Sequence, residues 1–113
     1  MAQIKKAYIV YIEFDGDIKS KHSGKWLVFT QLEEVKPVIR EALTDLMQHE
    51  KERGRAATID IGEYLNVPIA NVLRFDNLLE DYIDFGGSTM GNWEITIIKT
   101  FADEPKGEME LTQ

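Results

Sequence analysis

The sequence predicts an α+β fold, and three observations carry that prediction. Ala7–Phe14 and Trp26–Thr30 are short runs of β-branched and aromatic residues, with turn chemistry at Asp15-Gly16-Asp17 between them. Val35, Val38, Ile39, Ala42, Leu43 and Leu46 then recur at i, i+3, i+4, i+7 spacing, the stripe of an amphipathic helix. After the flexible stretch Gly86–Asn92, the residues Trp93, Ile95, Ile97 and Phe101 return to strand alternation, interrupted by Lys99.

The first two strands read as a hairpin joined by the polar, basic loop Lys19–Lys25. Both are apolar on both faces, whereas a sheet covered on one side alternates cleanly between apolar and polar. Each large side chain left wet forfeits roughly 1.5–3 kcal/mol of burial, so the second face needs a cover. A homodimer partner, another protein or the chain itself could supply it; a homodimer or other partner is expected, with Ile9, Tyr11, Leu27 and Phe29 as the dimer contact residues.

Thr30 and Glu33 have the spacing of a capping box, but a start there would place Pro37 deep inside, so the long helix is expected to start near Lys36 with Pro37 in its first turn. Gly54 is its natural C-terminal stop, after Lys51 and Arg53. Ala56–Leu65 supports two readings. As a strand, Ala57, Ile59, Ile61 and Leu65 alternate with polar residues; as a helix from Asp60, it opens a helix-turn-helix. A further helix runs from Pro68 to about Tyr82, with Ile69, Val72, Leu73, Phe75, Leu79 and Ile83 on its apolar arc. Asp76 falls within that arc, so it needs a partner or a local break.

At 113 residues the chain reads as one globular domain over 1–102, followed by an acidic, disordered tail over 103–113. Cysteine is absent, which removes disulfides, thiol catalysis and thiolate metal sites. No apolar run reaches the roughly 18 residues of a membrane span, and the N-terminus reads as a strand rather than a signal peptide. A cytoplasmic protein is expected. The net charge of −7 is uneven: residues 1–30 carry +2, while residues 56–102 carry −5. Such a balance repels phosphate backbones and favours basic partners.

The run Asp60–Pro68 resembles the first helix and turn of a helix-turn-helix motif. Gly62 stands where the family keeps a small residue, and Asn66 stands at the turn. Ile61, Leu65, Val67, Val72 and Phe75 match the inward positions. With a downstream hairpin from Tyr82–Phe85 and Trp93–Phe101, the resemblance implies a winged form. The alternative is a ferredoxin-like two-layer sandwich with Ala57–Leu65 as a strand. In the winged form the second helix would read the major groove, and there only Arg74 and Asn77 could contact base edges. Asp76, Glu80, Asp81 and Asp84 follow directly, and phosphate contacts are scarce.

No constellation supports an enzyme, a metal or a cofactor. His22 and His49 are the only histidines, and Gly86-Gly87-Ser88-Thr89 lacks the lysine of a phosphate loop. The expected function is therefore a non-enzymatic regulator or inhibitor acting through a protein partner. Its expected contact residues are Ile69, Leu73, Arg74, Asp76, Asn77 and Glu80. A dimeric DNA-binding regulator using Arg74, Asn77 and the basic positions Lys19, Lys21 and Lys25 is the second reading. A ferredoxin-like small-ligand domain is the third.

Overall fold

Strand β1 (Ile4–Phe14) pairs along its whole length with the last described strand, and this long antiparallel ribbon organises the molecule. The protein is described here from a computed structural model covering residues 4–103, with side chains from 7 to 100. Along the chain follow β2 (Lys25–Phe29), α1 (Leu32–Glu52), β3 (Thr58–Ile61), β4 (Tyr64–Pro68), α2 (Ile69–Arg74), α3 (Asp76–Phe85), β5 (Gly87–Met90) and β6 (Trp93–Asp103). A four-stranded antiparallel sheet has the order β2-β1-β6-β5, and β3 and β4 form a separate two-stranded sheet. The class is α+β, with the N-terminal hairpin and the long helix in the expected places.

Alternation along the strands decides what lies inside. Tyr8, Val10, Ile12 and Phe14 of β1 and Trp93, Ile95 and Ile97 of β6 form one buried sheet face. Onto it pack Val35, Ile39, Ala42, Leu43 and Leu46 of α1, with Ile69, Val72, Leu79, Tyr82 and Ile83 from the later helices. The β3–β4 hairpin adds Ile59 and Ile61 to the same core. Ile18, just before the polar loop Lys19–Lys25, is also buried there.

Helix α1 begins at Leu32, a turn earlier than expected, and places Pro37 inside. Leu32, Val35 and Ile39 continue the inward stripe, so packing outweighs the single backbone bond that the exposed proline cannot donate. The upstream contact is Thr30 N–H to the Glu34 carboxylate, not a capping box with Glu33. Gly54 takes φ +72° just past Arg53, as a helix stop requires.

The stretch Asp60–Pro68 is a hairpin and not the helix and turn that its spacing resembles. Ile59 and Ile61 both point into the core at a period of two, which a helix cannot do. Gly62 turns the chain at φ +57°, and Asn66 is left-handed at φ 55°, but at an irregularity in strand pairing between Ile59 and Ile61. There its N–H donates to Asp60 Oδ1 at 2.8 Å. The ferredoxin-like alternative, which makes Ala57–Leu65 one strand, matches it over Thr58–Ile61, yet among the described residues β3 pairs only with β4 and does not join the larger sheet.

The expected helix Pro68–Tyr82 is broken into two at Phe75, whose φ −110° and ψ 112° are extended. Tyr82–Phe85 finishes α3 and is not a wing strand; Gly86, at φ 109°, caps it. Of the expected flexible stretch Gly86–Asn92, Gly87–Met90 is strand β5. Asp103 ends β6, and the remainder of the expected acidic tail lies outside the described residues.

Candidate interaction surfaces

The structure divides the residues expected to meet a partner. Ile69 is fully buried and Leu73 is half-buried against the core, so Ile69 holds the fold together and faces no partner. Its position at the start of α2, directly after β4, aims it inward. Arg74 is exposed and lies over the Phe75 ring, 5.5 Å from its centroid. Asn77 is exposed.

Asp76 and Glu80 face α1 instead of solvent alone. The Lys36 ammonium, nearly buried, donates to Asp76 Oδ2 at 2.8 Å and to Glu80 Oε2 at 2.6 Å. Arg40 adds a contact to the other Asp76 oxygen at 2.6 Å. The hydrogen bond to Asp76, followed by the one to Glu80, holds the Lys36 ammonium far above the usual lysine range, against the opposing effect of burial. The Lys36 hydrogen bond in turn holds the Asp76 carboxyl below its ordinary range. Thus Asp76 has both features its place in the apolar arc demands, a partner and a break in the helix before it. These two carboxylates are a clamp between helices.

The apolar and acidic surface expected on the second helix is found elsewhere, at the tip of the β3–β4 hairpin and the end of α3. Tyr64, Leu65 and Phe85 are 61%, 67% and 53% exposed. The Phe85 ring lies over the hairpin turn, where a methyl group on Gly62 would stand 3.7 Å from it. Around these residues lie Asp60, Glu63, Asp81 and Asp84. Asp84 is paired with Lys99; the other three have no ion pair among the described residues.

One carboxylate of α1 meets the basic loop. Lys21 lies 3.4 Å from Glu41 of α1, and His22 Nε2 lies 2.6 Å from the same carboxylate oxygen. The His22 hydrogen bond, then that of Lys21, keeps the Glu41 carboxyl below its usual range. Lys19 and Lys21 line an open groove of about 630 Å3 with Arg40, Glu41 and Thr44, and Arg40 is already held by Asp76. Lys25 is not in that groove; it opens β2, opposite Ile12.

The outer face of the large sheet is open and apolar. In register across it run Val28, Ile9 and Ile98, with Trp26 opposite Tyr11 beside them. Trp26, Val28 and Ile98 are 63%, 68% and 45% exposed, and the Tyr11 and Trp26 rings stack with centroids 4.5 Å apart. Ile9 and Tyr11 are on this face as expected. Leu27 and Phe29 are not: they pair with Val10 and Tyr8 and pack against the core, so Trp26 and Val28 take the outer positions. One phase of alternation separates the two sets, and the sequence, apolar at all four positions, does not mark which phase faces in. Glu13 and Glu94 close one end of the face, the former accepting the Tyr11 hydroxyl at 2.6 Å. That hydrogen bond is the main reason the Tyr11 hydroxyl ionises above its usual range.

Beside β3 lie two cavities, one lined by Ala57, Thr58, Ile69 and Trp93 and one by Thr58, Asp60, Asn66 and Trp93, of about 240 and 130 Å3. Both are under the roughly 300–1,000 Å3 of small-molecule sites. Among the described residues no three His, Asp or Glu side chains gather as a metal site, and no helix is long and apolar enough to cross a membrane. Comparison with protein-family models, with curated proteins and with solved structures finds no match.

Proposed function

We propose that this chain is a non-enzymatic, cytoplasmic regulator or inhibitor that binds a protein partner. The surface is the tip of the β3–β4 hairpin with the end of α3, and the partner segment is apolar and basic. The observation that carries this reading is the exposure of Tyr64, Leu65 and Phe85, each more than half open, beside Asp60, Glu63 and Asp81, which have no ion pair among the described residues. Residues 60–85 hold six acids and one arginine, and Lys36, Arg40 and Lys99 satisfy only Asp76, Glu80 and Asp84.

Covering the open parts of the three side chains supplies roughly 3–5 kcal/mol. Association itself costs about 4 kcal/mol or more, so apolar contact alone does not hold a partner. Charge attraction to Asp60, Glu63 and Asp81 must contribute, and binding therefore weakens with salt.

The test is a fluorescence-anisotropy titration with a labelled amphipathic peptide bearing leucines on one helical face and lysines on the other. A peptide of the same composition with the pattern scrambled controls for charge alone. The patterned peptide is expected to bind more tightly, and the Tyr64→Ser/Leu65→Ser protein to lose that advantage. Equal binding of both peptides, or of both proteins, refutes the proposal. Retention of duplex DNA at low salt would favour instead the nucleic-acid reading through Arg74, Asn77 and Lys19–Lys25.

A further inference from the structure

The outer face of the large sheet is independent of the hairpin surface, and its pattern specifies what covers it. We infer that a second copy of this chain lies face to face on this sheet, about a two-fold axis running across the strands along the row Val28–Ile9–Ile98.

The face is large enough. Trp26, Val28 and Ile98 leave on the order of 350 Å2 of open apolar side chain, a patch size that marks a functional surface on a monomer. The four strands project roughly 500 Å2 from their lengths and spacing. Side-chain relief brings the accessible area close to the ~800 Å2 per partner of a standard interface.

The edges of the sheet are poor alternatives. β2 pairs with residues 8–12 of β1, so among the described residues the edge from Ile4 to Ala7 has no partner strand on that side. The chain there reads Lys5-Lys6, and lysines on an open edge oppose edge-to-edge pairing. β5, on the other side, is four residues long.

Charge then selects the axis. Glu13 and Glu94 are paired at one end of the face. A two-fold axis parallel to the strands would stack this end on its own copy, carboxylate against carboxylate. An axis across the strands reverses the strands of the partner and removes that clash. Ile9 and Ile98 are the middle residues of two 11-residue strands and are in register with each other. Turning about them carries Glu13 and Glu94 of one copy to the end away from those of the other, and exchanges Tyr11 with Ala7. Like charges are therefore kept apart, and β-branched residues meet along the axis.

Sedimentation equilibrium from micromolar to several hundred micromolar protein tests the proposal, with circular dichroism to confirm folding. The wild type is expected to approach twice the 13.0 kDa chain mass. Val28→Lys, at a position 68% exposed, should keep the fold and lose the dimer. Ile9→Cys lies on the axis and meets its own copy, so a short bis-maleimide should cross-link it readily, whereas Tyr11→Cys, two residues off the axis, should cross-link at least about fivefold more slowly. A monomer at every concentration overturns the inference, as does a dimer indifferent to Val28→Lys. A dimer lost in Val28→Lys whose Tyr11→Cys form cross-links as fast as Ile9→Cys overturns the axis. None of these outcomes bears on the peptide-binding surface, whose residues lie on other elements.

Discussion

Gly87 is the position at which a single methyl group should do the most damage, and the structure grades the effect against its neighbours. Gly87 opens β5, in register with Thr96, at φ +89°. A methyl group there would stand 1.9 Å from the Ile95 carbonyl oxygen and 2.7 Å from its carbon. Both are backbone atoms of the central ribbon and cannot swing aside. The strand β5 must therefore withdraw, giving up one or two ladder hydrogen bonds at about 1 kcal/mol each. To this is added roughly 1–2 kcal/mol for an alanine held at positive φ. Gly87→Ala should thus cost about 2–4 kcal/mol. Gly86, at φ +109° with 3.4 Å of clearance to Ile97 O, should lose only the backbone part, about 1–2 kcal/mol. Gly91 has no positive φ and nothing within 4 Å, so its alanine variant should stay within about 0.5 kcal/mol of wild type. Urea unfolding at one fixed protein concentration measures all three. If Gly87→Ala matches Gly91→Ala, or falls below Gly86→Ala, the steric reasoning fails.

Three further expectations follow from the core and the helix clamp. Lys36→Met should lower stability at neutral pH, and the deficit should shrink on acidification. Asp76, held below the usual value of about 3.9 by Lys36, stabilises the fold above that pH and loses the effect as pH falls through its lower folded value. Lys36 itself, held above about 10.4, contributes throughout the range below that pH. Urea midpoints from neutral pH down to acid check this, and a deficit independent of pH refutes it. Tyr82→Phe removes a buried hydroxyl bonded to Ser88 Oγ at 2.8 Å and should cost about 1 kcal/mol, measured by the same unfolding experiment. Ile69→Ala should cost about 2–5 kcal/mol as a core truncation, whereas Leu65→Ser should leave the unfolding midpoint almost unchanged, which separates fold residues from surface residues.

Much of the architecture is legible in the residues because the periodicity of buried positions is a local property. The stripe Val35–Leu46 is a helix wherever it packs, and Tyr8, Val10, Ile12 and Phe14 line one side of a strand whatever it pairs with. The misplaced elements are those where two periods fit the same few residues. Asp60–Pro68 satisfies the spacing of a helix and turn, but Ile59 and Ile61 are both needed in one core, and only a strand delivers them there. The single helix expected from Pro68 to Tyr82 breaks at Phe75, next to Asp76, whose partner Lys36 is forty residues away. No local pattern carries that distance.

The surfaces follow the same division. Composition by itself determined the acidic character of the later half, the absence of thiol chemistry and the excess of apolar residues over what one sheet face can hold. Only the tertiary structure decided which of those residues are left over. Trp26 and Val28 alternate with Leu27 and Phe29, and the pairing with β1 is what turns one pair outward and the other toward α1. Ile69 and Leu65 are equally apolar in the sequence, yet the hairpin and the start of α2 bury the first and expose the second. Hydrophobicity is a property of a side chain, but exposure is a property of its neighbours, and those are assembled from across the chain.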